Sequence, residues 1–136
     1  MKLIVNLDER NGMSFNNRRQ SRDRAVTRRI ASLCNGCDLW IHPVSVPLFS
    51  DFDVSIRVSE DYLHCAQDTD WCFAEIGDIR PDLSVCEQVV IFRWNRTYPY
   101  DCKFPMELLQ NEFTLSEMVE FEGYSHAIIT MEVYSR

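Results

Sequence analysis

Glycine is scarce in this chain, with four residues among 136. It offers no Gly-rich phosphate loop and no G-x-S-x-G. A P-loop nucleotide site and a nucleophile elbow are therefore absent as local motifs, although catalytic triads assemble in space. No apolar run approaches the ~20 residues of a membrane span. Met1–Leu7 is too short for the apolar core of an export signal. These absences imply a cytoplasmic protein with no membrane partner. Its six cysteines, Cys34, Cys37, Cys65, Cys72, Cys86 and Cys102, then read as reduced thiols. Only Cys34 and Cys37 have C-x-x-C spacing. They close a helical segment instead of opening one, and His64, Cys65 and Cys72 supply no matching second pair, so neither a metal nor a redox site is expected.

What the chain has is acid, aromatic residues and a local excess of arginine. It carries a net charge of −7, with 46% hydrophobic residues and sixteen aromatics, which suits one folded domain over residues 1–136. The charge is unevenly spread. Residues 1–30 sum to +5 and residues 31–136 to −12. A nucleic acid would meet mostly like charge, so none is expected as a partner. A small anion, or an acidic protein surface, suits the basic N-terminal part.

Periodicity predicts the elements. "KLIVNL" alternates as a strand, with a turn at Asn11-Gly12. Residues 21–33 read as a helix capped by Ser21, with Val26, Ile30 and Leu33 on one face and Gly36 just past its end. On that helix Arg22 and Arg29 flank the apolar stripe, while Arg24 and Arg28 point away. Asp38–His42, Val54–Val58, Trp71–Ile76 and Gln88–Trp94 read as strands, with a short helix over residues 60–67. Residues 104–123 read as a loop, a strand around Glu112–Leu115 and a turn. His126–Tyr134 closes the chain as a strand of an antiparallel edge hairpin. The class implied is α/β, with a mixed, mostly parallel central sheet.

The order "VVIFRWN", "YPYDCKFP", acidic strand, terminal strand resembles the end of dihydrofolate reductases. Asp101, Phe104 and Pro105 stand where that family has D-x-x-F-P. The first strand, the loop "NGMSFN" and the following helix match the reductase N-terminus, where the loop closes over substrate and the helix carries the catalytic carboxylate. The resemblance implies the reductase fold, and Asp23 is the nearest carboxylate to the catalytic slot. The chain also looks close to short bacterial proteins that go under the label ribonuclease Z. That chemistry needs a two-zinc H-x-H-x-D-H motif, and this chain has only His42, His64 and His126.

Two cofactor elements of the reductases are missing. The Gly-Arg-x-Thr turn after the second strand is replaced by "HPVSVPLF". The Gly-Gly pair is replaced by "CFAEIGDI", with Gly77 between Glu75 and Asp78. No NADPH binding is therefore expected. If a reductase reaction persists, it uses NADPH in an unusual mode with Asp23 as proton donor.

Two readings of the arginine cluster remain. In one, a solvated helix pairs with the acidic remainder of the chain. In the other, Arg18, Arg19, Gln20, Arg22 and Asp23 frame a site for a small polar or anionic ligand, joined by Arg93. A third class is an interaction module docking an acidic protein. Glu75, Glu132 and His126 are the other acid–base candidates.

Overall fold

The computed structural model describes residues 1–136. A seven-stranded sheet runs in the order β5-β4-β6-β1-β7-β10-β9. Its members are β1 (Lys2–Leu7), β4 (Asp38–Ile41), β5 (Ser55–Val58), β6 (Trp71–Ala74), β7 (Gln88–Arg93), β9 (Thr114–Glu122) and β10 (Ile128–Ser135). The first five are parallel, while β10 pairs antiparallel with β7 and with β9. A second small sheet orders β3 (Arg18–Arg19), β2 (Gly12–Phe15) and β8 (Cys102–Lys103). The helices are α1 (Arg24–Leu33), α2 (Tyr62–Cys65) and α3 (Met106–Glu112), with 3-10 segments at Pro43–Phe49 and Arg80–Val85.

Alternation along the inner strands divides the core. Leu3, Val5, Leu7, Val89 and Ile91 face one layer, against Ile79, Leu83, Leu109 and Phe113. Ile4, Phe73, Val90 and Phe92 face the other, against Val26 and Ile30 of α1. Both faces are covered, which is why these strands read as near-continuous apolar runs.

Four local expectations need correction. Asp23, not Ser21, caps α1: its backbone is extended (φ −153°, ψ 128°) and Oδ1 accepts from the Ala25 N–H at 2.8 Å. A carboxylate is a strong acceptor for the free amides of a first helical turn. Arg22 consequently precedes the helix, and its predicted place beside the apolar stripe does not apply. Secondly, residues 12–19 form a hairpin as well as a loop. Asn16 and Asn17 both have positive φ, at 54° and 57°, the backbone a two-residue primed turn requires. Thirdly, Met106–Glu112 is helical and the following strand extends through Glu122. Met106 and Leu109 bury one side of the helix, and Val119 and Phe121 alternate inward along the strand. Fourthly, Gly36 (φ 80°) lies two residues beyond the C-cap, Cys34, where one had been expected.

Candidate functional site

Parallel strands leave their carboxyl ends at one edge, where α/β proteins usually hold ligands. Here β1, β6, β4 and β7 run out into Asp8, Glu75, His42 and Trp94. The protein's own side chains occupy this edge.

Asp8 is fully buried. Its carboxylate accepts from the N–H groups of Arg10 (2.8 Å), Gly12 (2.8 Å) and Tyr98 (3.1 Å), and from Gln20 Nε2 (3.2 Å). Burial opposes ionisation, but these donors outweigh it and hold the group below its ordinary pKa. Asp8 thus ties the β1 turn to the strand-end loop at Tyr98. A Cβ at Gly12 would stand 2.7 Å from Gln20 Nε2 and 2.9 Å from the Tyr100 side chain, and would collide.

Glu75 is buried too. It receives Arg19 in a two-pronged pair, Nε to Oε2 at 2.8 Å and Nη2 to Oε1 at 3.0 Å, plus the Ser45 hydroxyl at 2.7 Å. Arg19 Nη2 also donates to the Val44 carbonyl at 2.8 Å. The β2–β3 hairpin is therefore pinned across the ends of β4 and β6.

Asp23 is the third buried carboxylate. Oδ1 accepts from Ala25 and Tyr124 N–H, and Oδ2 from Ser125 and His126 N–H. His126 Nδ1 approaches Oδ2 at 2.9 Å. Burial disfavours the charge, but the Tyr124 amide, the His126 side chain and the remaining amides win and hold Asp23 far below the usual carboxylate range. On the far side of the imidazole, Nε2 lies 3.0 Å from Ser21 Oγ and 3.0 Å from Tyr98 Oη. Trp94 stacks on the ring at 4.7 Å.

The predicted site residues divide into separate places. Arg18, Arg19 and Gln20 line one hollow of about 310 Å³ with Phe15, Tyr98 and Pro99. Arg22 and Asp23 line a groove of about 70 Å³ between α1 and the Pro43–Phe49 segment. Arg93 joins neither, being held by Glu132 at 3.3 Å, the Asp8 carbonyl and Asn11. Glu132, an acid–base candidate, is accordingly paired with Arg93. Arg24, exposed, reaches Asp51 at 3.4 Å, while Arg29, half-buried beside the apolar stripe, lies over the Phe121 ring at 4.4 Å. A larger hollow, about 710 Å³, lies beside β8 and α3 and is lined by Asn11, Asp78, Arg80, Asp101 and Lys103 among others. Asp101 accepts from the Asn16 N–H at 3.1 Å, linking the D-x-x-F-P motif to the hairpin turn. Sequence reasoning missed Asp8 altogether and read Ser21 only as a cap. The Asp8-Glu9-Arg10-Asn11-Gly12 run carried the signal for an Asx-type turn.

Two carboxylates flank Gly77: Glu75 is buried against Arg19, and Asp78 is paired with Arg80 at 2.8 Å at the approach to a 3-10 segment that itself carries Asp82. The segment carries ion-paired carboxylates in place of the free amides of a phosphate site.

No protein-family model and no curated protein matches this sequence. Among solved structures, the chain is similar to dihydrofolate reductase from Enterococcus faecalis, solved with NADP(H) and RAB-propyl. The TM-score is 0.70 over 99% of this chain and 95% of that one, at 13% identity. The fold is that of dihydrofolate reductase. The ribonuclease Z label finds no support here, and no group of three or more His, Cys, Asp or Glu side chains is placed to hold a metal ion. No helix is long and apolar enough to cross a membrane.

Proposed function

We propose that this protein uses a dihydrofolate-reductase fold to bind a small polar or anionic ligand, without standard NADPH chemistry. The binding place is the hollow beside the β2–β3 hairpin, with Arg18, Arg19 and Gln20 as its polar wall. The observation that carries the reading is the convergence of Arg18, Arg19 and Gln20 on one concavity. Arg18 is exposed and unpaired, and Arg19 keeps Nη1 free beyond its pair with Glu75. A ligand with an anionic group for Arg18 and Arg19 matches that wall. Phe15 and Tyr98 add apolar and aromatic surface. Arg22 and Asp23 contribute from the neighbouring groove, as supporting charge and as the clamp that fixes the helix start.

A reductase using Asp23 as proton donor is less well supported. Asp23 is ionised and fully engaged by its loop, with no proton to deliver. The acidic-partner reading draws on the exposed arginines of α1, but nothing gathers them into one surface.

A thermal-shift screen of small polar anions tests the proposal. The best compound should raise the melting temperature of the parent protein and of Arg28→Ala. Arg18→Ala should lose most of that shift. Equal responses from both variants would mean general electrostatics and would refute the site.

A further inference from the structure

Ser21, His126 and Asp23 are separated by up to 105 residues of sequence yet form one hydrogen-bonded line. The distances are 2.9 Å from Asp23 Oδ2 to His126 Nδ1 and 3.0 Å from His126 Nε2 to Ser21 Oγ. We infer that Ser21 is a nucleophile, with His126 as its general base and Asp23 as the positioning residue that orients the imidazole, in a site for small carboxylic esters.

The protonation pattern follows from the geometry. Asp23 is an acceptor on every side, so the hydrogen between it and the imidazole sits on Nδ1. Nε2 is then an acceptor, and Ser21 O–H points at it. Both inner members are buried, while Ser21 is partly exposed, so Ser21 is the one member of the line open to solvent. Trp94 stacked on the ring fixes its plane. The N–H groups of Arg22 and Asp23, immediately after the serine, donate to no acceptor in the protein. Unengaged amides beside a nucleophile are the donor type that acyl transfer uses to hold an oxyanion. Tyr98 Oη also reaches Nε2, at 3.0 Å, and competes with Ser21 for the lone pair.

The reaction balances without a further reactant except water. Ser21 Oγ bonds to the acyl carbon as its proton passes to Nε2. The bond from acyl carbon to alcohol oxygen breaks, and the alcohol leaves with that proton. Water then attacks the acyl carbon and gives a proton to Nε2. The Ser21 ester bond breaks, Oγ regains the proton, and a carboxylic acid departs. This site needs no anion in the hairpin hollow, so the two proposals stand or fall separately.

A fluorophosphonate probe and p-nitrophenyl acetate test it on the full chain. The probe should label Ser21, mapped by peptide mass spectrometry. Ester hydrolysis should fall ~100-fold or more in Ser21→Ala, the scale of general-base assistance. Ser21 Oγ hydrogen-bonds only to His126, so this variant loses one hydrogen bond and should stay folded at assay temperature. His126→Gln should abolish labelling. Should that variant melt below assay temperature, the labelling is repeated at a lower temperature at which it is folded. An unlabelled parent protein, hydrolysis equal in Ser21→Ala, or labelling that survives in folded His126→Gln would each overturn the inference.

Discussion

Replacing Arg19 by alanine should cost this protein more than any other single change in its arginine cluster. Glu75 has a side chain only 3% exposed, and Arg19 retains 24%. Removing the guanidinium leaves a buried carboxylate with the Ser45 hydroxyl as its sole side-chain donor. Breaking a buried pair from one side costs about 3–5 kcal/mol, because the remaining charge stays desolvated. The partial exposure of Arg19 lets water reach the vacated place, so the lower end, about 3 kcal/mol, applies. In a domain of this size that corresponds to a fall of roughly 10 °C or more in melting temperature. Replacing both partners by apolar residues of similar volume, Arg19→Met with Glu75→Leu, should recover most of the loss, since no charge is then stranded. Urea denaturation of the two single variants and the double variant, read as a double-mutant cycle, gives the coupling directly. A loss below about 1 kcal/mol for Arg19→Ala would mean a solvated pair. The hairpin would then not be pinned to the strand ends, and the reasoning for a filled cofactor edge would fail.

Three further outcomes follow from the same geometry. Asp23 is depressed below its unfolded value of about 3.8, so its contribution is complete above that pH and disappears as pH falls toward the folded value. Asp23→Ala should therefore lose at least about 2 kcal/mol at pH 7 and much less near pH 2, measured by urea melts at both. Asn17→Gly should hold or gain a few tenths of a kcal/mol, roughly, in the same melts, whereas Asn16→Val, placed at φ 54°, should lose about 1–2 kcal/mol. Burial pushes the thiols of Cys34 and Cys72 up to about 12 and Cys86 up to about 11. Exposed Cys65 should react with a thiol reagent at once in the native state, and those three only on unfolding; rapid native labelling of Cys34 would contradict the packing.

The inner strands were legible because both faces of a parallel sheet must be apolar, and "LIV", "WCF" and "VVIF" say so directly. The closing hairpin was legible from alternation in Ile129, Met131 and Val133. The β2–β3 hairpin was less so, since Asn-Asn is a weaker turn signal than Asn-Gly and its strands are short and basic. At the site, the arginines were visible but their partners were not. Arg19 meets Glu75 across 56 residues, and no local period encodes that. Asp23 was noticed as a spare carboxylate near a catalytic slot. Its true task, capping α1 while clamping the 124–126 loop, depends on backbone amides a hundred residues away.

The central proposal is that this dihydrofolate-reductase fold binds no NADPH, its strand ends being occupied by Glu75 and Arg19. Titration of intrinsic tryptophan fluorescence with NADPH tests it most directly. The account predicts no saturable transition up to high micromolar concentration, with only the linear loss expected from absorbance. A saturable quench with micromolar midpoint, weakened by substitutions around Gly77 or His42, would contradict it and restore the reductase reading.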